Sequence, residues 1–253
     1  MTTHERLISM MTRTFPRPLL LLAAFLTTTT IRAADSLPAF RQNEVIVFQG
    51  DSITDGGRAR SGDDHNHTMG QDYAYMIAGQ LGAELPERHL TFLNRGIGSE
   101  KLSDIAVRWQ TDVIALKPTI VSILIGINDS GAHTPMADFE QTYDKLLAST
   151  VAALPSVRLV LCAPFTLPVG NYKNNPNGWL ADVRQRGQIV ERLATKYHAP
   201  VVRLQPILDA ACAHAPAQYW LWDGVHPDYC GHYLLAQEWI RVVNSFYGAW
   251  NAR

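Results

Sequence analysis

The chain has 253 residues, 47% of them hydrophobic and 18% charged, with a formal net charge of −1. That composition excludes a disordered or fibrous chain, and the absence of any long Lys/Arg run points away from nucleic acid and anionic membrane surfaces as partners. A chain of this length buries enough surface to need no disulfide or metal staple.

Arg6, Arg13 and Arg17 precede "LLLLAAFL" (Leu19 to Leu26), and Ile31-Arg32-Ala33 follows as a small-residue cleavage site. The apolar run is too short to span a bilayer, so residues 1–33 read as an export signal. The expected mature protein is one domain, residues 34–253, periplasmic or secreted, with no stable membrane insertion after cleavage. No Cys follows the apolar run, which argues against a lipid anchor.

Three near-continuous apolar runs come next: "EVIVFQ" (Glu44–Gln49), "TIVSILIGI" (Thr119–Ile127) and "VRLVLCAP" (Val157–Pro164). That pattern marks strands covered on both faces, as in parallel sheets. Leu90–Asn94 and Pro200–Leu204 read as two more strands. Helical spacing runs over Asp72–Leu81, Ser103–Leu116, Pro135–Leu154, Leu180–Tyr197 and Tyr229–Phe246, with Thr134 as the expected cap of the third. Alternating strands and helices predict an α/β fold, a three-layer α/β/α sandwich. Ligands in such sheets bind beyond the carboxyl ends of the strands.

Between these elements lie residues that pack no core. "SGDDHNHTMG" (Ser61–Gly70) holds Asp63, Asp64, His65 and His67, whose spacing fits no standard zinc site. It reads as a polar loop at a cleft rim, and no metal or other cofactor is expected. Cys162 sits in a strand-like run; Cys212 and Cys230 pair only if the fold brings them together.

The strand ends carry the chemistry. Asp51-Ser52 follows the first strand, "NRGIGSE" (Asn94–Glu100) the second and "GIND" (Gly126–Asp129) the third; "DGVHP" (Asp223–Pro227) precedes the last helix. A serine hydroxyl needs an adjacent base to act as a nucleophile. His226 can take the Ser52 proton, and Asp223 can orient His226 and stabilise its imidazolium. A developing oxyanion needs fixed donors, for which the Ser52 N–H and the Asn128 side chain are candidates.

In "GDSITDGG", "NRGIGSE", "GIND" and "DGVHP" the chain resembles the SGNH hydrolases, the GDSL esterase/lipase family, from about Glu44 to the last helix. The resemblance implies a flavodoxin-like five-stranded parallel sheet of order 2-1-3-4-5 and a metal-independent serine esterase. It casts Ser52 as nucleophile, Asn128 as an oxyanion donor, Asp223 as triad acid and His226 as base. Family members commonly carry "N-x-x-x-x-G", the glycine N–H being an oxyanion donor. Here that position is Ser99, with Gly98 one place earlier as the alternative donor.

The resemblance is to small exported bacterial esterases, many acting on acetylated carbohydrate. The expected substrate is therefore a small-molecule or polysaccharide ester carrying short acyl groups, O-acetyl above all. Trp109, Trp179, Trp220 and Trp222 are candidate sugar platforms, Trp222 foremost because it abuts "DGVHP". A lysophospholipase, thioesterase or arylesterase with the same site stays open, as do an acyltransferase and a non-catalytic carbohydrate-binding protein of this fold. Oligomeric state is not legible.

Overall fold

The apolar runs form five strands: β1 (Val45–Gly50), β2 (Thr91–Asn94), β3 (Ile120–Leu124), β4 (Arg158–Ala163) and β5 (Val201–Arg203). All pair in parallel, in the order β2-β1-β3-β4-β5. A computed structural model describes residues 37–174 and 176–251, which belong to one compact unit, Arg32–Arg253. The expected export segment, residues 1–33, lies outside the described residues.

Helices connect the strands: α1 (Ser52–Asp55), α2 (His65–Met69), α3 (Tyr73–Glu84), α4 (Leu102–Asp112), α5 (Ile127–Gly131) and α6 (Met136–Ala153). They continue with α7 (Pro176–Lys196), α8 (Leu204–Ala211), α9 (Ala217–Trp220) and α10 (Tyr229–Asn251). No described helix is long and apolar enough to cross a membrane.

Alternation along each strand splits the core in two. Ile46, Phe48, Ile120, Leu124, Val160 and Cys162 face α3, α8 and α10. Val47, Val121, Ile123, Leu159 and Leu161 face α4, α6 and α7. Successive strand residues point to opposite faces, so strands covered on both sides must be apolar throughout. This is the expected three-layer sandwich. Each fully buried Val, Leu, Ile or Phe contributes about 1.5–3 kcal/mol.

Two local expectations are corrected. The second helical run, Ser103–Leu116, does not continue to Leu116: α4 ends at Asp112, where Val113 takes φ −129°, and Ile114–Leu116 is a separate 3₁₀ turn. Thr134 does not cap α6. Pro135 stands at that position with no side-chain cap, and the Thr134 hydroxyl bonds the Asp129 carboxyl instead. A buried carboxylate competes better for the hydroxyl than a helix end that water can reach.

The topology also places the site. β1 leads by α3 to β2 on one flank, and β3 leads by α6 to β4 on the other. The crevice at this switch in strand order collects the segments that leave the carboxyl ends of β1, β2 and β3.

Candidate active site

β1 ends at Gly50, and the chain turns at once into α1, with Ser52 as its first residue. The turn is tight because α1 folds back on the sheet. A Cβ on Gly50 would lie 2.3 Å from Thr54 Oγ1 and 2.4 Å from Leu124 O. Asp51 caps the helix, its Oδ1 accepting the Ile53 N–H at 3.0 Å. The Ser52 N–H, in the first turn of α1, has no carbonyl one turn back to receive it.

Residue Asn94 closes β2 and ties the next loop to α1. Its Nδ2 lies 2.5 Å from Thr54 O, 2.7 Å from Met69 O and 2.9 Å from Asp72 Oδ2, while its Oδ1 accepts the Gly96 N–H at 2.9 Å. Contact is so close that a Cβ on Gly96 would sit 2.5 Å from Asp55 N. The Gly98 N–H donates to Asp55 Oδ2 at 2.8 Å. Ser99 takes φ +67°, and its N–H has no acceptor among the described residues. Of the two candidate donors, Gly98 is engaged and Ser99 is free.

α5 follows β3 and carries Asn128, whose Nδ2 donates to Glu100 O at 3.0 Å. That bond uses one amide hydrogen and links the third strand end to the second; the other hydrogen stays available. Asp129 turns into the protein, and its Oδ2 accepts the Leu102 N–H at 3.1 Å.

The fourth segment arrives from the other end of the chain. His226 Nε2 lies 2.8 Å from Ser52 Oγ, and His226 Nδ1 lies 2.7 Å from Asp223 Oδ2. Asp223 Oδ1 accepts the backbone N–H groups of Val225 (3.0 Å) and His226 (2.8 Å), which sets the turn that lets both side chains converge. Burial works to raise the Asp223 pKa, but the hydrogen bonds from His226 and Val225 outweigh it and hold the carboxyl below its ordinary value. Asp223 is therefore ionised at neutral pH, so His226 Nδ1 carries the proton and Nε2 faces Ser52 as an acceptor. A serine, a neutral imidazole and a carboxylate in this order can deprotonate a hydroxyl and stabilise the resulting imidazolium.

The tryptophans divide. Trp109 is buried and donates to Thr150 Oγ1, and Trp220 donates to Ala215 O, so both serve the packing. Trp179 packs edge-on against Tyr172, at 4.5 Å. Trp222 is 60% exposed and lies parallel to the His226 ring, 6.0 Å away. In the polar loop, Asp64 caps α2 and its carboxyl hydrogen-bonds the His67 ring. Cys162, Cys212 and Cys230 are all free thiols.

A layer of polar groups that no motif in the sequence marks lies beneath these residues. Asp51, Asp55, Arg58, Asp72 and His232 are all buried. Burial pushes Asp51 up to about 7 and Asp72 up to about 8, and pushes His232 down to about 4. The one trace of it in the sequence is the spacing: an acidic residue three places after Ser52, with Arg58 and Arg60 just beyond it.

A family model, the GDSL-like lipase/acylhydrolase family, matches residues 48–234. An acetylxylan esterase from Geobacillus stearothermophilus is 32% identical over 211 residues, covering 79% of this chain and 94% of that one. The solved structure of Axe2, an acetylxylan esterase from Geobacillus stearothermophilus, superposes with a TM-score of 0.73 at 31% identity, covering 81% of this chain and 96% of that chain. Further structures of that esterase carry substitutions of a serine, an aspartate and a histidine described as catalytic. An alpha/beta hydrolase enzyme from the Lake Arreo metagenome matches with a TM-score of 0.75 and 29% identity, covering 83% of this chain and 99% of its own.

Proposed function

The chain belongs to the GDSL-like lipase/acylhydrolase family and hydrolyses ester bonds; from that premise we propose that it removes short acyl groups, O-acetyl above all, from carbohydrate through an acyl-enzyme on Ser52. The observation that carries this reading is the unbroken chain Ser52 Oγ, His226, Asp223, with contacts of 2.8 and 2.7 Å.

The reaction runs in two halves. Ser52 Oγ attacks the ester carbonyl carbon as its proton passes to His226 Nε2. The carbonyl oxygen becomes an oxyanion, held by the N–H groups of Ser52 and Ser99 and by the free hydrogen of Asn128 Nδ2. His226 returns the proton to the departing sugar oxygen, and the acyl group stays on Ser52. Water then attacks the acyl carbon with His226 as base, the carboxylic acid leaves, and Ser52 regains its proton. Throughout, Asp223 holds the imidazole in one tautomer and offsets its charge.

Two features support a carbohydrate ester. The site is shallow: the His226 side chain is 39% exposed, and Trp222 beside it is 60% exposed. A shallow site suits an acyl group projecting from a larger molecule, and a flat aromatic ring suits the apolar face of a sugar. The curated relative named above is an acetylxylan esterase. Export, as read from residues 1–33, would bring the enzyme to such polymers; the N-terminal sequence of the mature protein tests it.

The deciding experiment assays wild type and Ser52→Ala on acetylated xylan, pectin and chitin fragments and on nitrophenyl esters of graded chain length. The expected result is preference for acetyl and a loss on the order of 10⁴-fold or more in kcat for Ser52→Ala. Near wild-type turnover by the variant would overturn the serine mechanism. Preference for long acyl chains would overturn the substrate class.

A further inference from the structure

The loop after β2 is pinned residue by residue. The Arg95 N–H donates to Phe48 O (2.8 Å), Gly96 to Asn94 Oδ1 (2.9 Å) and Ile97 to Gly50 O (3.1 Å). Gly98 donates to Asp55 Oδ2 (2.8 Å) and Glu100 to Ile97 O (3.4 Å). From Arg95 to Glu100, the Ser99 N–H alone has no acceptor among the described residues. Four of these five bonds end on backbone or on the side chain of Asn94 at the end of β2; the one from Gly98 ends on a side chain of α1.

That side chain sits beside the nucleophile. Asp55 lies three residues after Ser52, on the same face of α1. A Cβ built on Gly98 would be 3.5 Å from Asp55 Oδ2 and 3.9 Å from Ser52 Cβ, so Gly98 packs against both. Asp55 is itself fixed. Arg60 Nη2 donates to the same Oδ2 at 2.6 Å, while Arg60 Nη1 and Arg58 Nε hold Gly96 O at 3.0 and 2.9 Å. The pair Asp55 and Arg60 thus clamps the loop at Gly96 and at Gly98. Asp55 Oδ1 is buried and has no partner among the described residues.

We propose that Asp55 is a positioning residue for the oxyanion hole: by taking the Gly98 N–H out of the site, it presents the Ser99 N–H to the reacting carbonyl. It touches no substrate and acts through the loop. The proposal rests on the serine-esterase reading above.

The unpartnered Oδ1 makes the test sharp. Both donors, Gly98 and Arg60, fall on Oδ2. An asparagine can place its oxygen there and its NH₂ where Oδ1 now stands. Asp55→Ala removes the acceptor, so kcat on p-nitrophenyl acetate should fall about ten- to a hundredfold with KM within about twofold. Asp55→Asn should recover most of that loss. The rate constant for inactivation by a fluorophosphonate, whose phosphonyl oxygen uses the same donors, should fall and recover in step. A change in the fraction of folded enzyme would alter the labelled amount and leave that rate constant unmoved. If Asp55→Ala does not fold, Asp55→Glu, which displaces the oxygen by one methylene, takes its place with the same readings. Wild-type kcat in that variant, a loss confined to KM, or an Asp55→Asn as slow as Asp55→Ala overturns the proposal. Ser52→Ala measured alongside separates the two ideas: if it stays active, the serine-esterase reading has failed; if it is dead while Asp55→Ala is unimpaired, only the positioning role has.

Discussion

Ser99 stands at φ +67°, a conformation that costs an L-residue about 1–2 kcal/mol and glycine nothing. Its donor is a backbone N–H, so the family's glycine can be replaced at this position provided the strain is borne. Ser99→Gly should keep the donor and change stability by less than about 1 kcal/mol, whereas Ser99→Val should lose roughly 1–2 kcal/mol and also lower kcat. Urea unfolding and kcat of both variants check this. Asp51 poses the opposite problem, a buried carboxyl with one oxygen on the Ile53 N–H and the other without a partner. Burial pushes its pKa from the ordinary 3.8 to about 7, against the pull of the Ile53 hydrogen bond. The folded protein therefore keeps a proton that the unfolded chain has released between about pH 4 and 7. Stability from this group is full below that window and is lost as pH rises through it. Asp51→Asn keeps the cap oxygen and removes the titration. Its stability relative to wild type should improve steadily from pH 4.5 to 7.5; a constant difference across that range would contradict the assignment.

At the scale of the element, α5 is the weak part. Its five residues are too few to hold a helix alone, yet it carries Asn128. Arg186 of α7 supplies what is missing. It is fully buried, donates to Ser130 Oγ (3.0 Å), Asp129 O (3.2 Å) and Thr134 O (2.8 Å), pairs with Asp182 (2.8 Å) and lies over the Phe139 ring. Arg186→Met leaves those acceptors unpaired and should cost about 3 kcal/mol, with a fall in kcat as Asn128 loses its seat. Arg186→Lys should lie between, because a lysine cannot fork to two carbonyls. Denaturant unfolding beside kcat measures both effects; a wild-type Arg186→Met would show that α5 stands without it. The central strands were legible as unbroken apolar runs, and the long helices because each repeats its apolar spacing several times. α1 and α5 were not, since four or five residues complete barely one turn and carry no period.

Across the whole molecule, the three free thiols mean that no covalent staple is at work. Burial holds the Cys162 thiol up at about 12, and Cys230 Sγ lies 3.3 Å from the Tyr219 hydroxyl, not bonded to Cys212. Thermal unfolding with and without a thiol reductant should therefore coincide. A lower Tm in reductant would reveal a Cys212–Cys230 disulfide, a bond that contributes typically ~2–4 kcal/mol. By itself the sequence determined the parallel sheet, because both-sided burial demands unbroken apolar strands. It also determined the candidates Ser52, Asn128, Asp223 and His226, because turn-rich segments at strand ends have no core to pack. Only the tertiary structure decided the rest. Ser52 and His226 are 174 positions apart in sequence, and their 2.8 Å contact exists only once the sheet order is set. The choice between Gly98 and Ser99 turned on where a carboxylate of α1 points, and Asp55, Arg58 and Arg60 look like ordinary surface charges until α1 folds over the β2 loop and buries Asp55 and Arg58. Periodicity reports which face of an element is covered; it carries no information about which side chains of distant elements meet, since that depends on packing among all of them at once.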